Sequence, residues 1–521
     1  MKVKLKRPGK APLLASCFSI DLRSLAALRI ASGIYLMCDI GMRLTDVAGH
    51  YSDSGIFPLA ALREWWQGSY WWMLTIHSVD SGAEWPACVF VIQFLIAGML
   101  IVGFQSRFAV AMSWLLLVST HNRNPLILHG GDQMLRMTLF WMMFLPIGAR
   151  WSLDGTTRIR SAYGETSQTQ IRSVATLAIL AQTCIIYAST ALLKHSKEWW
   201  SEGSAMYYAL RIEQFRLPLG GWIKDAPLPL LQCATWLTLA FELVSSALMW
   251  SRNAVVRTTI VGVAFVFHLV FIALLMDVGP ISFASCLLWI GLIPPETWNM
   301  LEGNERLQAI VCRIDPLLIH VRTWRTKRIA HWVKKQKPLP ILSSSIPAQC
   351  VASLALIYVV QWNIVNLNPT LKPIYPDIAK VSRLDQHWGM FAPKPMPDDG
   401  WFSMAAMLPD NTKVDLFQNG KPHHFRQPTD IVHMHKNTRW AKFWMNLWQE
   451  KYGRYRKYGV WYLRQKYQDE HPTVKIKQIS FFYHLTITPA PGVRRAPVEP
   501  TLISSETYID PLAPALEAGK E

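Results

Sequence analysis

Residues 86–103 read PACVFVIQFLIAGMLIVG, a stretch without any acidic or basic side chain. A helix needs about 20 mostly apolar residues to cross the hydrocarbon core of a bilayer, so this stretch predicts a transmembrane helix. Eight further apolar segments occupy 24–44, 107–120, 132–148, 172–193, 227–249, 257–276, 279–294 and 348–367. We therefore expect about nine spans. The segments at 107–120 and 279–294 are short enough to be tilted, buried or re-entrant.

The overall composition also indicates a membrane protein. The chain has 521 residues, of which 51% are hydrophobic and 17% are charged, whereas a soluble domain has roughly 25% charged residues. The apolar content excludes a disordered chain. Eight cysteines without a CxxC pair argue against a disulfide scaffold or a thiolate metal site.

Lysine and arginine are distributed unevenly between the predicted loops. With the N-terminus in the cytoplasm, the cytoplasmic segments carry 21 basic residues and the external loops between spans carry 7. Because basic loops resist translocation, this asymmetry sets the orientation, and nine spans place the C-terminus outside. The net charge of +18 is therefore interpreted mainly as a topology signal, and no nucleic-acid partner is predicted.

The predicted fold class is an α-helical multi-pass membrane bundle followed by an external α+β domain. Its parts are a cytoplasmic N-terminus at 1–23, a transmembrane domain at 24–367 with a basic cytoplasmic loop at 295–347, and an extracytoplasmic domain at 368–521. The loop interleaves cations such as Arg322 and Lys334 with Trp324 and Trp332. That pattern is typical of a helix on an anionic leaflet, and also of a solvated topology anchor.

The last 154 residues have the turn signals of a mixed α+β region. Residues 401–407 and 414–417 flank Pro409-Asp410-Asn411, which predicts a β-hairpin, and Asn419-Gly420 marks a second turn. We expect an amphipathic helix over about 438–468 and a strand over 476–487. The region is long enough to bury a core of its own.

Ionisable residues inside apolar spans are the strongest functional signal, since each costs roughly 2.5–3.5 kcal/mol at mid-bilayer. In the first span, Asp39 and Arg43 are four residues apart and share a helix face. Together with Arg29 they predict either a structural ion pair that locks helices or a catalytic group.

A second polar group lies where the third span meets the fourth, at the predicted outer face. The Gly130-Gly131 pair permits a tight turn, Asp132 can cap the helix that follows, and free amides at a helix N-terminus can hold an anion. The candidate ligand-binding residues here are Asn122, Asn124, His129, Asp132 and Arg136.

Three more ionisable residues lie in or next to later spans: Lys194, Glu242 and His268. A partly desolvated amine such as Lys194 can act as a free base, or it can snorkel to the interface. A lone histidine in a span is typical of a helix-to-helix hydrogen bond, and we predict no metal site. We expect Lys194, His129, Arg136 and His268 to surround one cavity open to the outer leaflet.

Many of these residues belong to a set that resembles the bacterial HTTM family, horizontally transferred transmembrane-domain proteins related to vitamin K-dependent gamma-carboxylase. The set comprises IDLR at 20–23, YSD at 51–53, HNRNP at 121–125, GGDQ at 130–133, WSLD at 151–154, WSEG at 200–203, FHL at 267–269 and WGMFAP at 388–393. The resemblance covers most of residues 18–420.

This resemblance implies a function and a location. In the carboxylases, a lysine near the external end of the equivalent span acts as a base on vitamin K hydroquinone, and carbon dioxide then adds to a deprotonated glutamate. The resemblance implies a site in the outer half of the bundle, with Lys194, His195 and His268 as candidate catalytic residues and Glu242 as a ligand-binding residue. It also implies a quinone-like cofactor, an extracytoplasmic protein or peptide substrate, surrounding membrane lipid and a bacterial inner-membrane location.

Two hypotheses about function stay open. In the first, the bundle holds a quinone-like or lipid-like molecule and performs carboxylase-like chemistry. The carboxylases have two adjacent lysines, of which the second is catalytic. In the resemblance, Lys194 aligns with the first of these lysines and His195 with the second. Alternatively, the protein is a non-enzymatic membrane scaffold or lipid-binding protein whose polar groups only lock helices and whose external domain binds partners.

Overall fold

The long helices form a bundle at the N-terminal side of the chain. A computed structural model describes residues 17–67, 74–154, 170–304, 345–428, 430–493 and 499–507. The basic residues at 2–10 and the stretch from Arg322 to Lys337, to which the topology and leaflet predictions refer, lie outside the described residues. The bundle helices are α1 (Leu22–Leu44), α2 (Glu84–Val102), α3 (Ser106–Arg123), α4 (Gly130–Met142), α5 (Val174–Leu193), α6 (Leu228–Leu248), α7 (Ala254–Leu275), α8 (Ile281–Ile290) and α9 (Ile346–Leu367).

Six helices in the described residues are long and apolar enough to cross a membrane: α1, α2, α5, α6, α7 and α9. Each has 19 to 23 residues, which corresponds to roughly 30 Å of helix. The other three predicted segments are helices of 18, 13 and 10 residues (α3, α4 and α8). The protein is therefore a helical membrane protein, and a total of nine crossings stays a prediction.

The shortest helices lie inside the bundle. Helix α4 carries Asp132 and Arg136, both buried, and packs against α8 and α3. Its charged groups are therefore shielded from lipid by neighbouring helices. Helix α7 contains a π-helical turn at Phe267–Ile272, which includes His268. Such turns widen a helix locally and often lie at functional sites.

Short elements lie between the longer helices and strands, in the bundle and in the C-terminal region. A two-stranded antiparallel pair joins β1 (Ile20–Asp21) to β2 (Gln170–Ile171). The short helices are Val47–Tyr51, Leu59–Trp65, Ala205–Ala209, Pro218–Ile223 and Pro295–Glu302, and the 3-10 turns are Ile76–Ser78, Pro125–Ile127, Leu416–Gln418, Val432–Met434 and Glu450–Tyr455.

The C-terminal region contains an antiparallel sheet of five strands in the described residues, in the order β5-β4-β3-β6-β7. The elements are helix α10 (Pro376–Ser382), strands β3 (Asp398–Met407), β4 (Lys413–Asp415) and β5 (Lys421–Pro422), helices α11 (Thr438–Trp448) and α12 (Arg456–Glu470), and strands β6 (Gln478–Ile487) and β7 (Glu499–Thr507).

The predicted hairpin and C-terminal strand are confirmed. Strand β3 pairs with β4 across the turn at residues 408–412, and β6 pairs with β3 along its whole length. The predicted helix at 438–468 is wrong in one respect, because it is broken into α11 and α12. The Arg456 side chain donates to the carbonyls of Leu447 and Trp448 at 2.9 and 3.2 Å, and so caps the end of α11.

The sheet and the bundle share one apolar core. Phe402 and Phe481 of the sheet pack on Trp444 of α11, and Trp440 of the same helix packs on His50 at 4.3 Å between ring centroids. The C-terminal region therefore buries its apolar residues partly against the bundle, rather than only within itself.

Close packing of α1 on α2 gives a test of the bundle. A Cβ atom on Gly33 would lie 2.6 Å from Ile101 Cγ1 and 3.1 Å from the Ala97 carbonyl oxygen, whereas one on Gly41 meets nothing within 4 Å. Gly33→Leu should lower the free energy of unfolding by about 1–3 kcal/mol through overpacking. Thermal unfolding in mild detergent measures this, with Gly41→Leu as the matched control. Equal melting temperatures for the two variants would contradict the packing.

Candidate functional site

Two carboxylates and two guanidinium groups form a buried cluster at the end of the bundle that contacts the C-terminal region, called here the ion cluster. Asp39 and Arg43 lie one turn apart near the end of α1. Asp132 lies in the first turn of α4, where its side chain accepts a hydrogen bond from the His129 backbone amide at 2.7 Å. The fourth member, Arg439, comes from α11 in the C-terminal region.

Each arginine of the ion cluster bridges both aspartates. Arg43 donates to Asp39 and to Asp132, both at 2.7 Å. Arg439 donates to Asp39 at 2.5 Å and to Asp132 at 2.9 and 3.1 Å. The two contacts of Arg439 with Asp132 use different guanidinium nitrogens and different carboxylate oxygens, which is the strong bidentate geometry.

The ion cluster is electrically balanced and closed to solvent. All four side chains are buried. Burial alone would lower the pKa of Arg439, but the carboxylates of Asp132 and Asp39 outweigh it and raise that pKa above its ordinary value. Two positive and two negative groups thus compensate one another where a single unpaired charge would be costly.

Further polar groups complete this cluster. The Tyr51 hydroxyl accepts a hydrogen bond from Arg43, and His121 Nε2 lies 3.6 Å from Asp132. Beside Asp39 and Arg43 is a cavity of about 10 Å³ that Gln93 and Thr120 also line. That volume suits one water molecule and no larger ligand.

Arg29 does not take part in this cluster, although it was predicted to join Asp39 and Arg43. Its guanidinium donates to the carbonyls of Leu100, Ile101, Ile147 and Trp151 at 2.5 to 3.0 Å. It therefore ties the end of α2 to the loop after α4. Carbonyls left free at a helix end accept such bonds readily, which explains the different role.

Residues 383–388, called the strap, cover several of the predicted ligand-binding residues. Arg383 donates to Asn122 Oδ1 at 2.5 Å, and Arg136 donates to the Asp385 carbonyl at 2.5 Å. Asn122 and Arg136 therefore bind the chain itself. Sequence reasoning missed this contact because the strap lies about 250 residues away along the chain.

The strap is also anchored by buried amide side chains. Gln182 Nε2 donates to Gln386 Oε1 at 2.7 Å, and Trp388 Nε1 donates to the same oxygen at 2.9 Å. Asn124, another predicted ligand-binding residue, donates to the His50 carbonyl at 3.0 Å. Asn122, Asn124 and Arg136 thus each bond within the protein.

His129 precedes α4 and packs against Gly279. A Cβ atom on Gly279, whose φ is +74°, would lie 2.7 Å from His129 Nδ1, so this contact requires glycine. Burial, together with the nearby Arg439 charge, lowers the pKa of His129 to about 3. The His129 ring is therefore neutral. The contact of His129 with Asp132 is made by the His129 backbone amide.

Lys194 and Glu242 form a separate buried pair. The Lys194 ammonium donates to Glu242 Oε1 and lies 4.7 Å from the centroid of the Trp199 ring. The second carboxylate oxygen of Glu242 is buried and accepts no hydrogen bond from the described residues. The Trp199 indole in turn donates to the Phe391 carbonyl at 3.0 Å, which brings the segment after the strap over this pair.

His268 lies in a third group of buried side chains, which includes Tyr187, two turns before Lys194 in α5. Its Nε2 is 2.5 Å from the Tyr187 hydroxyl, which accepts from Trp289 Nε1 at 2.6 Å. The ring of Phe241 contacts both Tyr187 and His268. Because Phe241 precedes Glu242, this group adjoins the lysine pair without touching it.

The structure brings together only some of the predicted site residues. Lys194 and Glu242 are in contact, whereas His129, Arg136 and His268 bond different partners, and His195 is exposed. A cavity of about 610 Å³ lies between the C-terminal sheet, α11 and residues 212–214, and it contains none of the predicted residues. The four side chains expected around one cavity are thus divided among separate helix interfaces.

The ion cluster predicts a large effect of removing Arg439. Arg439→Gln leaves two buried carboxylates facing Arg43 alone, which should cost about 3–5 kcal/mol of stability. Thermal unfolding in mild detergent measures the loss, and Arg426→Gln, at an exposed position of the same region, serves as the control. A melting temperature for Arg439→Gln equal to that of the wild type would contradict the role assigned to this arginine.

Comparisons with known proteins agree with the membrane architecture. A family model described as the HTTM domain matches residues 18–298. The sporulation-delaying protein SdpB of Bacillus subtilis (strain 168) is 27% identical over 185 residues, which cover 34% of this chain and 55% of SdpB. The chain thus spans about half the length of this curated relative. No solved structure matches the chain significantly. Because the family model covers more than half of the residues, the chain belongs to the HTTM family.

Proposed function

We propose that this membrane protein binds a lipid-soluble ligand with acidic hydroxyl groups, such as a hydroquinone, at Lys194 and Glu242, with Lys194 as the base. The observation that carries the proposal is the unpartnered oxygen of Glu242, buried beside an ammonium group. A buried carboxylate oxygen without a donor is costly, and a ligand hydroxyl would satisfy it. The donor set therefore fits a hydroxylated ligand.

The surroundings suit a ligand that arrives from the bilayer. Lys194 ends α5, and the apolar side chains of Leu192, Trp200 and Trp236 are exposed around it. The Trp236 indole donates to the Trp200 carbonyl at 3.0 Å, which fixes one aromatic wall. Aromatic and aliphatic walls with few polar groups are typical of sites for apolar ligands.

The Lys194–Glu242 pair can hold a proton at either partner. Transfer of one proton from the Lys194 ammonium to Glu242 converts the ion pair into a neutral amine and a neutral acid, which burial favours over two separated charges. The neutral amine can then accept a proton from a ligand hydroxyl. A hydroquinone would supply the acidic hydroxyls and the reducing electrons for carboxylase-like chemistry on an extracytoplasmic peptide, with dioxygen as the oxidant and carbon dioxide as the group that is added.

The proposal includes an orientation in a bacterial inner membrane, with nine crossings, the N-terminus inside and the C-terminal region outside. Hydrogen bonds join that region to loops predicted to be external, as in Lys436 with Asp46 at 2.5 Å and Asp399 with the Glu213 amide at 2.5 Å. At the other end of the bundle, Arg23 pairs with Glu302 at 2.6 Å. The basic asymmetry of the loops supports the same orientation.

A second function, that of a non-enzymatic scaffold, is favoured by a different observation. Asn122, Asn124, Asp132 and Arg136 all bond within the chain. If the Lys194–Glu242 pair also served only to lock α5 to α6, the C-terminal region would be the functional part. The binding experiment that follows separates the two functions.

The test compares ligand binding by two variants. In lipid nanodiscs under anaerobic conditions, we expect the wild type to bind a short-chain naphthohydroquinone. Lys194→Met with Glu242→Gln, which removes both charges while keeping similar volumes, should weaken that binding at least about tenfold, or 1.4 kcal/mol. Titration calorimetry measures both affinities.

Lys197→Met is the matched control, because Lys197 is exposed and pairs with Glu202 on the surface at 2.8 Å. It should bind the naphthohydroquinone like the wild type. No binding by the wild type, or equal binding by the double variant, would reject the ligand site and leave the scaffold function.

A further inference from the structure

Residues 371–382, which connect α9 to the strap, expose an apolar surface. The exposed fractions are 60% for Ile374, 72% for Tyr375, 47% for Ile378 and 51% for Val381. In contrast, Ala379 is buried against the protein. A soluble surface rarely groups so many large apolar side chains in one short segment, which indicates a partner.

The segment turns back beside the outer half of α9. The Tyr358 hydroxyl donates to the Tyr375 carbonyl at 3.3 Å. Tyr358 lies nine residues before the end of α9 at Leu367, which is about 13 Å along the helix axis. Residues near Tyr375 therefore lie at the depth of the span, rather than above its end.

The chain then returns outward. The Trp362 indole and the Asn366 amide both donate to the Gln386 carbonyl, at 3.0 and 2.5 Å. These residues are one and two turns nearer the end of α9 than Tyr358. The path thus descends from Leu367 to Tyr375 and rises again to the strap.

Aromatic side chains elsewhere mark the same depth. Trp236 is 45% exposed and lies eight residues inside the outer end of α6, which matches the position of Tyr358 in α9. Trp222, on the short helix Pro218–Ile223, is 82% exposed. Tryptophan and tyrosine are enriched at the headgroup level of a membrane, so these positions are consistent with an outer interface around the bundle.

We propose that residues 371–382 insert into the outer leaflet and that Ile374, Ile378 and Val381 contact lipid there. The occupant is lipid because the segment runs beside a span and at the depth of other exposed aromatic residues. Lys372, near the start of the segment, and Asp377, between Tyr375 and Ile378, are exposed and can reach the headgroups. The segment leads directly into the strap, so lipid contact holds the strap over Asn122 and Arg136. This proposal rests on the orientation proposed above, but not on the role of Lys194.

Photocrosslinking tests the proposal with the full chain in vesicles of phosphatidylethanolamine and phosphatidylglycerol. A benzophenone amino acid is placed at residue 378, and lipid adducts are counted by mass spectrometry. Two matched positions serve as references: Leu354, 69% exposed in the middle of α9, and Asn411, at the exposed turn between β3 and β4. Each of the three replaced side chains is exposed.

We expect the lipid-adduct yield at residue 378 to approach the yield at residue 354 and to exceed the yield at residue 411 at least about tenfold. The reason is that only side chains inserted into the leaflet meet acyl chains. A yield at 378 equal to that at 411 would place the segment in water and overturn the proposal. A covalent dimer at 378 in place of lipid adducts would overturn it as well, since it would make a second copy the occupant.

Discussion

The contact of Arg439 with Asp39 and Asp132 determines how the two parts of this protein fit together. Two aspartates are buried side by side between α1 and α4, and within the described part of the bundle Arg43 is the one cation that faces both. The second positive charge comes from α11, about 400 residues later in the chain. An isolated buried carboxylate is unstable, so the bundle is electrically complete only when the C-terminal region is docked. The bundle and the C-terminal region accordingly share one apolar core and one charge-balanced cluster.

This docking leaves different roles for the polar residues at the end of the bundle that contacts the C-terminal region. The strap occupies Asn122 and Arg136, and Asp132 is taken by the arginines. In the Lys194–Glu242 pair, the second oxygen of a buried carboxylate has no donor in the described residues, and this carboxylate faces one cation there, whereas each aspartate of the ion cluster faces two. Together with its position between exposed aromatic residues, this makes it the best candidate for chemistry. His268 and Tyr187 form a separate hydrogen-bonded group, and Phe241, which packs on both, precedes Glu242 in α6.

Much of the fold could be predicted from local sequence. The helix at Glu84–Val102 follows from an uncharged apolar stretch, and the β3–β4 pairing follows from the Pro409-Asp410-Asn411 turn. Contacts between distant segments could not be predicted, because periodicity carries no information about which surfaces meet. Arg439 is the clearest example: its helix has an amphipathic pattern typical of a soluble domain, and nothing local links it to Asp39. Arg29 was paired with Asp39 by proximity in sequence, whereas carbonyl groups at a helix end satisfy it.

A double-mutant cycle between Arg439 and Asp39 tests the central claim most directly. The free energies of unfolding of the wild type, Arg439→Met, Asp39→Asn and the double variant are measured in the same detergent. We predict that the two losses are not additive and that the coupling energy is about 2–3 kcal/mol, because each single change leaves one uncompensated charge in the buried cluster and the double change removes that charge. Additive losses, within about 0.5 kcal/mol, would contradict the account, since residues that do not interact behave independently.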